Sequence, residues 1–216
     1  HLRPRRQRQM CIRDRYKVFI VNSLNGEEFS ASGLRSGRQK GNRAAAEDFS
    51  IILRGDWVET PGVMIGASIY HGDQGQGAAG IPDLSTTIVE VHGTYESGPW
   101  RFRALAAKAD IDDVAEFNTA TTENLGDSLE GWFAELGFNL LVSRDTQHQL
   151  TPYIRLENID TNAGVPSGFT ADAAQDDEIT TVGIAYQPNE NVILKLDYDD
   201  WDEGTDTLNF LVGYVF

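Results

Sequence analysis

From Tyr16 onward the chain divides into ten segments in which apolar and polar residues alternate with period two, each bounded by Gly, Pro, Asn or Asp. They cover roughly 16–22, 48–58, 62–70, 86–95, 99–109, 130–141, 149–158, 178–187, 191–199 and 206–216. The last is the clearest: Leu208, Phe210, Val212, Tyr214 and Phe216 share one face, and Asn209, Leu211, Gly213 and Val215 the other. In the segment before it, Val192, Leu194, Leu196 and Tyr198 oppose Ile193, Lys195, Asp197 and Asp199. The same split separates Trp132, Ala134, Leu136, Phe138 and Leu140 from Phe133, Glu135, Gly137 and Asn139. It also separates Leu150, Pro152, Ile154 and Leu156 from Thr151, Tyr153, Arg155 and Glu157. Period two predicts ten β-strands, most of them matching the roughly 9–11 residues a tilted strand needs to cross a bilayer.

Alternation alone fits a soluble sandwich as well as a membrane wall. Loop length separates the two. The predicted connections are long (23–47), short (59–61), long (71–85), short (96–98), long (110–129), intermediate (142–148), long (159–177), short (188–190) and modest (200–205). Sorting by parity is the habit of outer-membrane barrels, with tight periplasmic turns and longer outer loops. Trp57, Tyr70, Tyr95, Trp100, Trp132, Tyr186, Tyr198, Trp201, Tyr214 and Phe216 fall at or near strand ends, where interfacial girdles form. The predicted fold class is therefore all-β: an antiparallel up-and-down transmembrane β-barrel.

Composition narrows the function classes. No run of about 18 apolar residues is present, which excludes a membrane-spanning helix, and 40% hydrophobic content is too high for a disordered chain. A net charge of -15 argues against nucleic acid as a partner. The single Cys11 excludes an internal disulfide. Residues 1–15, HLRPRRQRQMCIRDR, hold six Arg and one Asp, share no pattern with the rest, and lack the apolar stretch of a secretory signal. They are read as a non-native basic leader, and 16–216 as the folded part.

Four features resemble the porin superfamily of proteobacterial outer membranes, in particular chains related to the phosphate-selective porins. These are the strand and loop pattern over 16–216, GRQKG at 37–41, LTPYIRLE at 150–157 with VPSGF at 165–169, and the terminal LVGYVF. The resemblance implies a barrel of about sixteen strands. Ten are visible here, so six N-terminal strands and a signal peptide are expected to be missing, and the sheet to be open or awkwardly closed. It implies a homotrimer when full length, contact with outer-membrane lipid and lipopolysaccharide, and passage of small solutes or ions. Tyr214 and Phe216 match the terminal signal read by the outer-membrane assembly machinery, although Gly213 lies closer to the end than that signal's glycine.

Parity assigns the candidate pore-lining residues: Arg54, Arg101, Arg103, Arg155 and Lys195 with Asp56, Glu90, Glu135, Glu157 and Asp197. Opposed rows of both signs would set a transverse field, and pairing across strands is the blander role. Arg35, Arg38, Lys40 and Arg43 form a basic cluster in the longest loop, predicted to fold over the mouth and attract anions. No metal and no cofactor are expected, because DYDDWDEGTD lacks EF-hand spacing and a hydrated acidic surface suffices. Catalysis is not expected: no HExxH, GxSxG or phosphate-loop motif is present, and a pairing such as His92 with Ser68 on adjacent strands falls by parity on the inner face, where lining water is the simpler role. The expected activity is passive diffusion of hydrophilic solutes or ions across the cell outer membrane. The rivals are a non-conducting structural or adhesive barrel, a soluble acidic β-sandwich, and a barrel enzyme marked by a Ser–His contact at the lipid-facing surface.

Overall fold

The computed structural model describes residues 14–41, 44–144 and 146–215. Ten strands form one sheet in strict sequence order, each antiparallel to the next. They are β1 (Asp14–Asn22), β2 (Phe49–Trp57), β3 (Val63–Gly72), β4 (Thr86–Ser97) and β5 (Trp100–Ile111), then β6 (Ser128–Phe138), β7 (Gln149–Gly164), β8 (Asp176–Asn189), β9 (Val192–Trp201) and β10 (Thr207–Tyr214). All ten predicted segments are strands. The barrel is not closed: β1 and β10 are the two edges of an open sheet.

Three boundaries depart from expectation. β1 begins at Asp14, with Arg15 opposite Asp56, so these two residues belong to the sheet rather than to the leader. The remainder of that leader, 1–13, lies outside the described residues. β7 and β8 run on through 159–164 and 176–177, which had been assigned to a loop. Their polar sequences carry no apolar alternation there, and cross-strand pairing such as Ile159 with Asp177 extends the hairpin. Finally, the 110–129 connection contains a helix, α1 (Val114–Thr121).

The register fixes which side chains share a face, since directly opposed residues point the same way. One face carries a continuous apolar row across eight strands: Val63, Tyr95, Phe102, Leu136, Ile154, Val182, Tyr198 and Leu208. From Tyr95 to Leu208 these side chains are all exposed. The other face carries the charged positions described below. Trp57, Tyr95, Trp100, Phe138, Tyr186 and Tyr214 gather on the apolar face at the end of the tight turns, Trp100 meeting Phe138 edge-on at 4.7 Å. Tyr70 and Trp201, also expected in a girdle, instead share the charged face with Ile52 and Ile179.

The buried core lies away from the middle of the sheet. Phe29, Leu84, Val114, Phe117 and Leu125 from the loops 23–48, 73–85 and 112–127 pack with Ala109, Ile111 and Leu129 of the strands. Those strand residues, with Ile88 packed against them, occupy the parity that carries charge further along. The polar face thus becomes apolar where the long loops cover it. Asn118 holds the cover by pairing both its amide groups with the Leu125 backbone, at 2.9 Å each. Gln74, fully buried, accepts from the Leu24 N–H at 2.7 Å and from the Tyr70 hydroxyl at 2.8 Å.

Phe117→Ala removes the fully buried ring at the centre of this cover. We expect the core to lose about 3–5 kcal/mol and limited proteolysis within 112–127 to accelerate at least about tenfold, with the strands staying protected. Unchanged cleavage would mean that the loops are held by something other than this core.

Candidate functional site

The polar face is built by cation-x-carboxylate pairs two residues apart on single strands. Residues i and i+2 of a strand point the same way, so Arg54 and Asp56, Arg155 and Glu157, and Lys195 and Asp197 each meet on one face. Their contacts are 2.8, 2.7 and 3.7 Å. Arg103 instead reaches across to Glu135 in the next strand, with two parallel bonds of 3.0 and 2.7 Å. Arg101 meets Glu96 at 3.0 Å. The ten candidate pore-lining residues therefore share one face, and their charges are matched locally instead of standing in opposed rows.

Within most pairs the acid lies deeper than the base. Asp56, Glu135 and Asp197 side chains are 4%, 10% and 13% exposed, against 34%, 45% and 29% for Arg54, Arg103 and Lys195. Short carboxylates sit against the sheet while long cationic side chains spread over them, so the cationic ends stand outermost in these pairs. Partly exposed pairs of this kind contribute only about 0–1 kcal/mol each. Their role is to keep the carboxylates hydrogen-bonded.

Two denser clusters stand out. On β2, β3 and β4, His92 lies between Glu90 and Asp56 and beside Arg54, while the Ser68 hydroxyl donates to Glu90 at 2.8 Å. Ser68 thus hydrogen-bonds the carboxylate rather than the imidazole. On β6 to β10, a cleft of about 270 Å³ is lined by Glu135, Tyr153, Arg155, Lys195, Asp197 and Trp201, among others. The Tyr153 hydroxyl donates to Asp197 at 2.7 Å, and Thr181 donates to Asp199 at 2.7 Å. Asn209 of β10 donates to both aspartates, at 3.1 and 2.8 Å. The Arg155 guanidinium stacks 4.3 Å from the Phe133 ring centre. These aromatic partners were missed by a reading that listed only charges, although Phe133 and Tyr153 share the parity of Glu135 and Arg155.

The longest loop crosses the polar face at the long-loop end. The Thr161 hydroxyl of β7 donates to Ala31 O at 2.7 Å, tying 23–48 to a strand far across the sheet. Arg35, Arg38 and Lys40 are exposed on that loop, and Arg43 lies outside the described residues. Tyr214 ends β10 on the apolar face, and Phe216, its companion in the expected assembly signal, also lies outside the described residues. Among the described residues no three His, Cys, Asp or Glu side chains converge as metal ligands. Between β9 and β10 the Tyr198 hydroxyl, with the backbone N–H of Trp201, holds the Asp206 carboxyl below its ordinary range. That contact is intact at neutral pH and is lost as pH falls through the lowered value.

Tyr153 reaches Asp197 by lying over Gly183, where a Cβ would come within 2.5 Å of its ring atoms. Gly183→Val should displace the ring and cost about 1–3 kcal/mol, read as a lower unfolding midpoint in detergent. Tyr153→Phe, which keeps the ring, should cost about 1 kcal/mol. Equal losses from the two would contradict this packing account.

No family model matches the chain. It is similar to a protein of Aquifex aeolicus (strain VF5) described as an uncharacterized protein, 28% identical over 196 residues, covering 85% of this chain and 44% of that protein. The chain thus spans less than half the length of this curated relative.

Proposed function

We propose that this chain is part of the wall of a Gram-negative outer-membrane β-barrel of the porin type, through which small hydrophilic solutes or ions diffuse passively. The observation that carries the reading is the exposed apolar row from Tyr95 to Leu208. At about 4.8 Å per strand the apolar face is roughly 40–50 Å wide, far beyond the patches of a few hundred Å² that monomeric soluble proteins leave open. Hydrocarbon is the environment in which such a face costs nothing, and the aromatic girdle at the tight-turn end fits a lipid interface.

The remaining roles follow from the same reading. Further strands close the barrel beyond the β1 and β10 edges, since an open edge in lipid leaves backbone groups unsatisfied. Lipopolysaccharide meets the outer loops, acidic in stretches such as DYDDWDEGTD, through loosely bridging divalent cations, the assembly machinery reads the terminal strand, and the full-length protein is a homotrimer. A second reading, a non-conducting structural barrel, draws support from the loop core that covers one end of the polar face.

Two measurements test the proposal. Leu156→Arg, on the apolar face, should destabilise the folded protein in lipid by about 2–4 kcal/mol, whereas Leu211→Arg, exposed on the polar face opposite Lys195, should not. Equal effects would remove the lipid assignment. The full-length protein in a planar bilayer should give ion-conducting steps; a folded, inserted protein without conductance would favour the structural barrel.

A further inference from the structure

One nitrogen in the β2–β4 cluster is claimed by two partners that require opposite protonation states. His92 Nε2 is 2.8 Å from Arg54 Nη2 and 3.1 Å from Asp56 Oδ1, while Nδ1 is 2.7 Å from Glu90 Oε1. A guanidinium only donates, so the Arg54 contact needs a lone pair on Nε2. That describes a neutral imidazole whose Nδ1–H is given to Glu90. The Asp56 contact needs a proton on Nε2. Adding one proton therefore turns the Asp56 contact into a hydrogen bond and sets two N–H groups against each other at Arg54.

The surroundings decide which partner yields. The ring is 10% exposed and packs over Gly66, where a Cβ would collide with both His92 and Asp56. Asp56 is more deeply buried still. Arg54 is 34% exposed and keeps a second hold on Asp56 through Nε, at 2.9 and 3.1 Å. The other polar groups facing the ring leave this balance in place. Ser68 of β3 is occupied by Glu90, and Arg15 and Lys17 of β1 stand opposite Asp56 and Arg54. Arg103 of β5 is bound to Glu135 of β6, and the residue of β5 directly opposite His92 is Leu105.

We infer that His92 is a positioning residue for Arg54: when its ring takes up a proton, Nε2 gives up its contact with the guanidinium and donates to Asp56, and Arg54 shifts while still held by its own bonds to Asp56. Imidazole is the side chain whose charge ordinarily changes between about pH 5 and 8, which sets the range the experiment scans. The local exchange stands on this geometry alone. Its consequence for permeation, an added charge and a shifted guanidinium on the wall, rests on the transport reading above.

The test uses the full chain, with isotope-labelled His and Arg, in detergent micelles from pH 8 to pH 5. The Arg54 Nε and Cζ resonances should move with the same midpoint as the His92 ring in the unmodified protein, and should stay still in His92→Gln. Protonation of His92 without movement of Arg54, a ring that stays neutral to pH 5, or Arg54 movement persisting in His92→Gln would each overturn the inference. If His92→Gln does not assemble, the titration of the unmodified protein decides alone. In a planar bilayer the anion-over-cation permeability ratio of the full-length protein should rise on the order of threefold between pH 8 and pH 5, the effect of one charge a few Å from a permeating ion. Absence of any channel removes the transport reading and leaves the resonance result standing. A channel with pH-independent selectivity overturns the link to permeation.

Discussion

Every strand of this sheet must serve two environments at once, because its side chains alternate and its backbone is committed to its neighbours. A single strand could resolve that by twisting away. Ten paired strands, their register shifting only near the ends of β6–β7 and β8–β9, cannot, since a one-residue slip would carry charges such as Arg155 and Glu157 onto the face of Ile154 and Leu156. The separation of an apolar from a charged face is thus a property of the whole ladder.

Charge on the polar face is arranged by the same pleat. A cation two residues from a carboxylate is the shortest way to bring opposite charges onto one face without help from another strand, and Arg54, Arg155 and Lys195 all use it. Arg103 departs from that rule because its i+2 neighbour is Leu105, and it finds Glu135 directly across the β5–β6 pair instead. The reach of each side chain, long for Arg and short for Asp, then sets which end of a pair stands outermost on the face.

The long-loop end shows how covering changes the demand on a face. Where loops 23–48, 73–85 and 112–127 fold over the strands, water is excluded and the parity that carries Glu90 and Arg103 lower down carries Ile88, Ala109, Ile111 and Leu129. The helix α1 exists in this setting: eight residues are marginal as an isolated helix, and the burial of Val114 and Phe117 supplies what propensity does not.

Strand number, strand order and the two faces were legible in the sequence because period two is a local signal, set by each residue and its next-but-one neighbour. Pairs such as Arg54 with Asp56 were legible for the same reason. The lengthened β7–β8 hairpin was not, since polar residues at 159–164 pair through backbone groups that leave no apolar pattern. Nor were α1, the span of loop 23–48 to Thr161, or the convergence of Arg54, Asp56, Glu90 and His92, which draws on separate strands. The sequence by itself determined which side of each strand is apolar; the tertiary structure alone decided which charges meet and where the loops close, because contacts between distant segments depend on register and reach, and neither is written in the spacing of neighbours along a chain.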